Sequence, residues 1–214
     1  MDIFFIIALV ITSIIAVAFM VERGLALRWK KVVPPSVERA VQNYSGPRDL
    51  RHLQHVCEQS PSPLARLVLF AAEHLDWPKS ENIEVVETRA RHEVSKLERG
   101  LVVLEIIVGI APLLGLVGTI YGLITLFGSM GQTADNAKFA QGISLALNAT
   151  LLGLLIAIPS LVAWSYYNKK VETIAVEMES LCDEFLRKHY RSTEETNTIA
   201  IAETGTEEHA IRQS

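Results

Sequence analysis

Two threonines, Thr119 and Thr150, stand inside apolar stretches that hold little other polar chemistry. A hydroxyl donates one hydrogen bond and accepts others, so such a pair can accompany a proton without being ionised itself. Ser144 and Asn148, one helical turn apart, form a second polar face offset from Thr150. By helix rise the two threonine hydroxyls fall at nearly the same depth, on the order of 12 Å from the outer boundary of their spans. Taken singly, a threonine in a membrane helix bonds the carbonyl four residues back. A matched pair points instead to a polar ring. Ion relays through a bilayer generally need an ionisable group in their path, and these stretches offer only Glu105, about one turn inside the inner boundary. Glu105 can equally be a snorkelling or helix-paired acid. The chain is therefore not expected to move protons alone, and a partner should supply the carboxylate.

Other chemistries are excluded by what is missing. There is no metalloprotease helix motif, no phosphate-binding glycine loop, and no serine or cysteine with a base beside it in the apolar stretches. His52, His55 and Cys57 lie close in sequence, but they lack a fourth ligand and standard zinc spacing. No enzyme activity, cofactor, metal or nucleic-acid partner is expected.

The elements that must position these residues are apolar helices. Residues 101–127 contain a single charge, Glu105, and residues 143–167 contain none. Each meets the requirement of roughly 20 apolar residues for a spanning helix. Residues 3–21 form a further span, expected to stay attached because Asp2 replaces a basic leader and no small-residue cleavage site follows. In the second span Ala111, Gly115, Gly118 and Gly122 share one helical face, and in the third Ala146, Gly153 and Ala157 do the same. Small residues in membrane helices mean close helix packing, here against each other or against another subunit.

Charge places the ends. The net charge of −4 matters less than position: Arg23, Arg28, Lys30 and Lys31 follow the first span, Lys169 and Lys170 follow the third, and the loop at 129–141 has only Lys138 as a basic residue. By the positive-inside rule the N-terminus and that loop face out, and the middle segment and C-terminus face the cytoplasm. Cys57 and Cys182 are then in reducing surroundings, and no disulfide is expected.

The fold expected is all-α: an integral membrane protein with three transmembrane helices, two of them extended far into the cytoplasm, plus short cytoplasmic helices. Residues 1–21 are the first span. Residues 22–79 make a cytoplasmic helical segment with short helices at about 36–43, 48–58 and 63–73, set apart by proline-containing turns. Apolar residues spaced by three and four predict one continuous helix over 80–128, roughly 70 Å long, whose first half projects from the membrane. A second long helix is expected over 142–190. The polar stretch 191–214 reads as disordered tail.

From Ala111-Pro112-Leu113-Leu114-Gly115-Leu116-Val117-Gly118-Thr119 through Gly142-Ile143-Ser144, Ala146-Leu147, Thr150, Gly153-Leu154 and Ala157-Ile158-Pro159, the sequence resembles the MotA/TolQ/ExbB family of proton-channel subunits, nearest its ExbB and TolQ branch. The resemblance is strong over about 97–168. It implies a five-fold ring around two copies of a single-span ExbD- or TolR-like partner, whose aspartate carries the proton, with a TonB- or TolA-like protein as a further partner. Thr119 and Thr150 match the family's pore-lining threonines, and Glu105 its acidic residue near the start of the second span. One departure stands out: Leu145 occupies a position where many ExbB and TolQ members have glutamate.

The implied function is the ring subunit of a bacterial inner-membrane motor that couples proton flow to mechanical work in the periplasm. The competing readings are a non-conducting scaffold, and a flagellar or gliding stator with the same mechanism and another load. The load itself, and proton against sodium, are not written in this chain.

Overall fold

The computed structural model describes residues 3–128 and 136–211, with side chains over 4–128 and 140–194. Among these, all regular structure is helical: α1 (Ile3–Ala26), α2 (Trp29–Val32), α3 (Pro35–Gln42), a 3₁₀ turn at Pro47–Asp49, α4 (Leu50–Gln59), α5 (Pro63–Glu73), α6 (Lys79–Glu98), α7 (Leu101–Gly128) and α8 (Asn136–Ile211). They group into two compact units, a membrane unit from Met1–Leu27 with Leu97–Val171, and a polar unit from Arg28–Lys96 with Glu172–Ser214.

Among the described residues three helices are long and apolar enough to cross a membrane, within Phe4–Ala26, Leu101–Gly128 and Ala140–Glu194. This is an all-α integral membrane protein. In the membrane unit, Ala16 of α1, Ile107 and Ala111 of α7, and Ala157 of α8 form a buried core, with Met20, Val103 and Ile156 packed against it. Near the opposite end of α1, Phe5 meets Tyr121, with ring centroids 5.5 Å apart. Tyr167 on α8 donates to the Met20 carbonyl at 2.8 Å. Large apolar side chains such as Ile14, Ile124 and Leu155 are left on the outside of all three helices. A surface of that kind suits hydrocarbon or another helix rather than water.

The continuous helix expected over 80–128 is interrupted at Arg99 and Gly100, giving α6 and α7. The reason lies in a different part of the chain. Arg23, paired with Glu22, lays its guanidinium over Gly100 and donates Nη1 to the Leu97 carbonyl at 3.4 Å. That is the carbonyl a continuous helix would assign to the Leu101 amide. Two further expectations are corrected. The stretch 191–214 is helical through Ile211 because no proline stops α8, and that helix begins at Asn136 rather than at 142. The rest of the expected loop, 129–135, lies outside the described residues.

In the polar unit prolines start α3 and α5, as their fixed φ and missing amide favour. Pro35 and Pro63 occupy first-turn positions, and Ser62 caps α5 by accepting from the Ala65 amide at 3.1 Å. The far end of α8 binds these short helices through three successive residues. Lys188 donates to the Gln42 carbonyl at 2.6 Å, covering the negative end of α3. His189 shares a 2.7 Å hydrogen bond with buried Tyr44. Tyr190 donates to the Trp77 carbonyl and accepts from Asn82. His52 and His55 are exposed while Cys57 faces the core, its thiol pushed up to about 11 by burial. His55 bonds Gln59 instead. Among the described residues no cluster is arranged to hold a metal ion.

Glu93 is fully buried, with Arg66 and Lys96 bonded to it and Arg89 at 3.8 Å. Burial pushes its carboxyl upward, but the hydrogen bonds and charges of Arg66 and Lys96 outweigh this and hold it below the ordinary carboxylate range. Its contribution is then complete above the unfolded-state value near 4.3 and is lost as pH falls through the lower folded value. Arg66 and Lys96 are more than a third exposed, so water softens their loss of a partner. Glu93→Gln should therefore destabilise by about 1–2 kcal/mol, below the full penalty for a broken buried pair. Melting curves at pH 7 and pH 3.5 check this: the wild type should lose more on acidification than the variant.

Candidate functional site

The site is built where α7 and α8 approach most closely. Two glycines set the distance, because a side chain at either would meet backbone. A Cβ at Gly115 would lie 2.7 Å from the Ala149 carbonyl oxygen, and one at Gly153 would lie 2.5 Å from the Ala111 oxygen and 3.2 Å from the Gly115 Cα. Farther along the seam Gly118 faces Ala149 and Gly122 faces Ala146. Ala111, Ala146 and Ala157 are buried in the same unit. The two small-residue stripes thus pack on each other within one chain. Ala149, fully buried between Ala146 and Gly153, belongs to the seam although sequence reasoning passed it over. Its spacing of three from Ala146 and four from Gly153 was the available signal.

That close approach brings Thr119 and Thr150 into direct contact, Oγ1 to Oγ1, at 2.5 Å. Thr119 is buried and also reaches the carbonyls of Gly115 at 3.0 Å and Ala146 at 3.2 Å. Thr150 is half-buried. The Ala146 carbonyl is the one, four residues back, on which Thr150 would ordinarily satisfy itself. Thr119 already approaches it. Thr150 is therefore steered toward Thr119 on one side and keeps hydrogen-bonding capacity for a group on the other.

Proton bookkeeping shows what the pair can do. With Thr119 donating to a carbonyl, Thr150 donates to Thr119 and remains an acceptor toward its open side. If a carboxylate stands there, rotation of the Thr150 hydroxyl turns it into a donor, and Thr119 stays satisfied by its carbonyl. The same two side chains can thus meet a carboxylic acid or a carboxylate without either becoming charged.

The remaining polar residues do not join this contact. Ser144, Asn148 and Glu105 are exposed in the single chain, as is Leu145. They face whatever lies outside it.

Comparison with known proteins follows the same segment. The MotA/TolQ/ExbB proton channel family matches residues 60–180. An ExbB homologue described as a biopolymer transport protein of Methanothermobacter thermautotrophicus is 34% identical over 114 residues, covering 53% of this chain and 41% of that protein. The biopolymer transport protein ExbB-like 1 of Synechocystis is 32% identical over 168 residues, covering 73% of this chain and 63% of that one. The Tol-Pal system protein TolQ of Pseudomonas aeruginosa is 35% identical over 95 residues, 44% of this chain and 41% of the relative. This chain thus spans between about two fifths and just under two thirds of the length of these relatives. With the family matched across more than half of its residues, including the whole α7–α8 seam, the chain belongs to the MotA/TolQ/ExbB proton channel family.

Proposed function

We propose that this chain is the ring subunit of a bacterial inner-membrane motor that couples proton flow to mechanical work, five copies surrounding two copies of a single-span ExbD- or TolR-like partner. The N-terminus faces the periplasm, and the polar unit lies in the cytoplasm. The observation that carries the reading is the Thr119–Thr150 hydroxyl pair, which can serve either protonation state of a carboxyl group that this chain does not itself supply at that depth. Ser144, Asn148 and Glu105 are exposed on the single chain and extend the proton pathway in the ring, while Ala111, Gly115, Gly118, Gly122, Ala146, Gly153 and Ala157 hold its walls together. A TonB- or TolA-like protein would take up the work.

The energy scale is adequate, since one elementary charge crossing 100 mV yields about 2.3 kcal/mol. Several protons suffice for a conformational step. The family membership and the ExbB and TolQ relatives support energised transport across the envelope as the class of task. The test is to co-express the chain with the single-span protein encoded beside it, weigh the intact complex by native mass spectrometry, and measure proton flux after reconstitution in liposomes. Five copies with two of the partner, and flux that needs both proteins, is the expected result. A smaller assembly with no flux would overturn the motor and favour a non-conducting scaffold.

A further inference from the structure

Arg28, Trp29, Lys30 and Lys31 follow the end of α1 at once, and all four are exposed. We propose that they form a binding site for the phosphate headgroups of anionic phospholipid in the leaflet at that end of α1. The inference is independent of the proposed motor.

Charge balance is the first observation. Several cations elsewhere in the polar unit are paired along their own helices, Arg91 with Glu87, Arg187 with Asp183 and Lys188 with Glu184. Arg28, Lys30 and Lys31 make no ion pair among the described residues, and no acidic residue lies between Glu22 and Glu38 in the sequence. Arg23, the next cation toward the membrane, is spent on Glu22 and the Leu97 carbonyl and adds nothing. Three positive charges are left for an anion from outside the chain.

Placement is the second. Arg28 lies two residues beyond Ala26, so the backbone has moved at most about 7 Å from the end of α1. The chain then folds into a turn, with the Lys31 amide on the Arg28 carbonyl and the Val33 amide on the Trp29 carbonyl, both at 2.8 Å. Val32 and Val33 of the same turn are buried, while the three cations stay exposed. Exposed Trp29 among them is the amphipathic aromatic that favours headgroup depth. A topology signal needs only net positive charge near a span. A fixed turn, carrying an interfacial tryptophan and unpaired cations, is also shaped to hold a headgroup.

Each basic side chain at an anionic membrane surface is worth about fivefold in partitioning. The full chain, with its partners where it has them, is placed in nanodiscs of phosphatidylcholine and phosphatidylglycerol at about 70:30 by mole, an anionic surface of the kind that attracts basic side chains, in a disc that exposes both leaflets and so removes insertion topology from the comparison. Native mass spectrometry then reads the lipids retained on release. The phosphatidylglycerol-to-phosphatidylcholine ratio retained on the wild type should exceed that of the disc by at least about fivefold. Arg28→Gln/Lys30→Gln/Lys31→Gln should lose that preference, and Lys30→Arg/Lys31→Arg should keep it. Arg51→Gln/Lys79→Gln removes exposed cations elsewhere, has unchanged helicity by circular dichroism as its folding control, and should retain the preference. Equal selectivity in the triple variant and the wild type, retention at the bulk ratio, or the same loss in the Arg51/Lys79 variant would each overturn the site.

Discussion

Gly153→Ala should push α7 and α8 apart and lower the apparent melting midpoint of the protein in detergent by roughly 3–10 °C, as followed by circular dichroism. The added Cβ would lie 2.5 Å from the Ala111 oxygen and 3.3 Å from its carbonyl carbon, and neither atom belongs to a side chain that can rotate away. Relief needs a separation of roughly 1 Å between helices that membrane packing otherwise holds in contact. The Thr119–Thr150 bond lies on the same seam and would stretch with it. Gly115→Ala should act in the same direction, since its Cβ meets the Ala149 oxygen and the Thr150 Cα. The double variant should lose less than the sum of the two, because one displacement relieves both clashes. Gly109→Ala, with nothing within 4 Å of the added carbon, should melt like the wild type. If Gly153→Ala also melts like the wild type, the close approach of the two helices is wrong.

How much of this was legible in the sequence depended on the range of the interaction. The three spans follow from composition, and the level depth of Thr119 and Thr150 follows from helix rise and the antiparallel hairpin alone. Small residues at spacings of three and four announced a tight seam but left its partner open, and the packing of Gly153 on Ala111 answers that within one chain. The break before α7 was hidden because its cause is remote. Gly100 by itself is tolerated in a helix, and nothing local says that Arg23, 74 residues before Leu97, will take the Leu97 carbonyl. The continuation of α8 to Ile211 was missed for the opposite reason, since polar composition was read as disorder over 191–211, where no proline interrupts the helix. Ser144, Asn148 and Glu105 mark the remaining limit. Their polarity is visible in the sequence, but a single chain leaves them exposed and so does not show what they face.

Thr150→Val should abolish proton flux through the reconstituted complex while leaving it assembled. The variant keeps the branched shape and removes one hydroxyl. Thr119 would still have the Gly115 and Ala146 carbonyls, so no buried donor is stranded, and the loss of stability should be near the average of about 0.6 kcal/mol for an interhelical hydrogen bond in a membrane. A change that small cannot dissolve a helix seam made of backbone contacts. Transport is different, because Thr150 is the half-buried member of the pair and the one through which Thr119 could act on a carboxyl group outside the chain. Thr150→Ser returns the hydroxyl and should restore a substantial part of the flux. Thr119→Val should also lower it by another route, because the freed Ala146 carbonyl becomes available to Thr150, which then turns inward. The measurement is acidification of liposomes carrying the complex, read beside its mass in native spectrometry. Full flux from an intact Thr150→Val complex would assign both threonines to packing alone, and loss of flux with loss of the complex in Thr150→Val would make the hydroxyl pair a structural bolt.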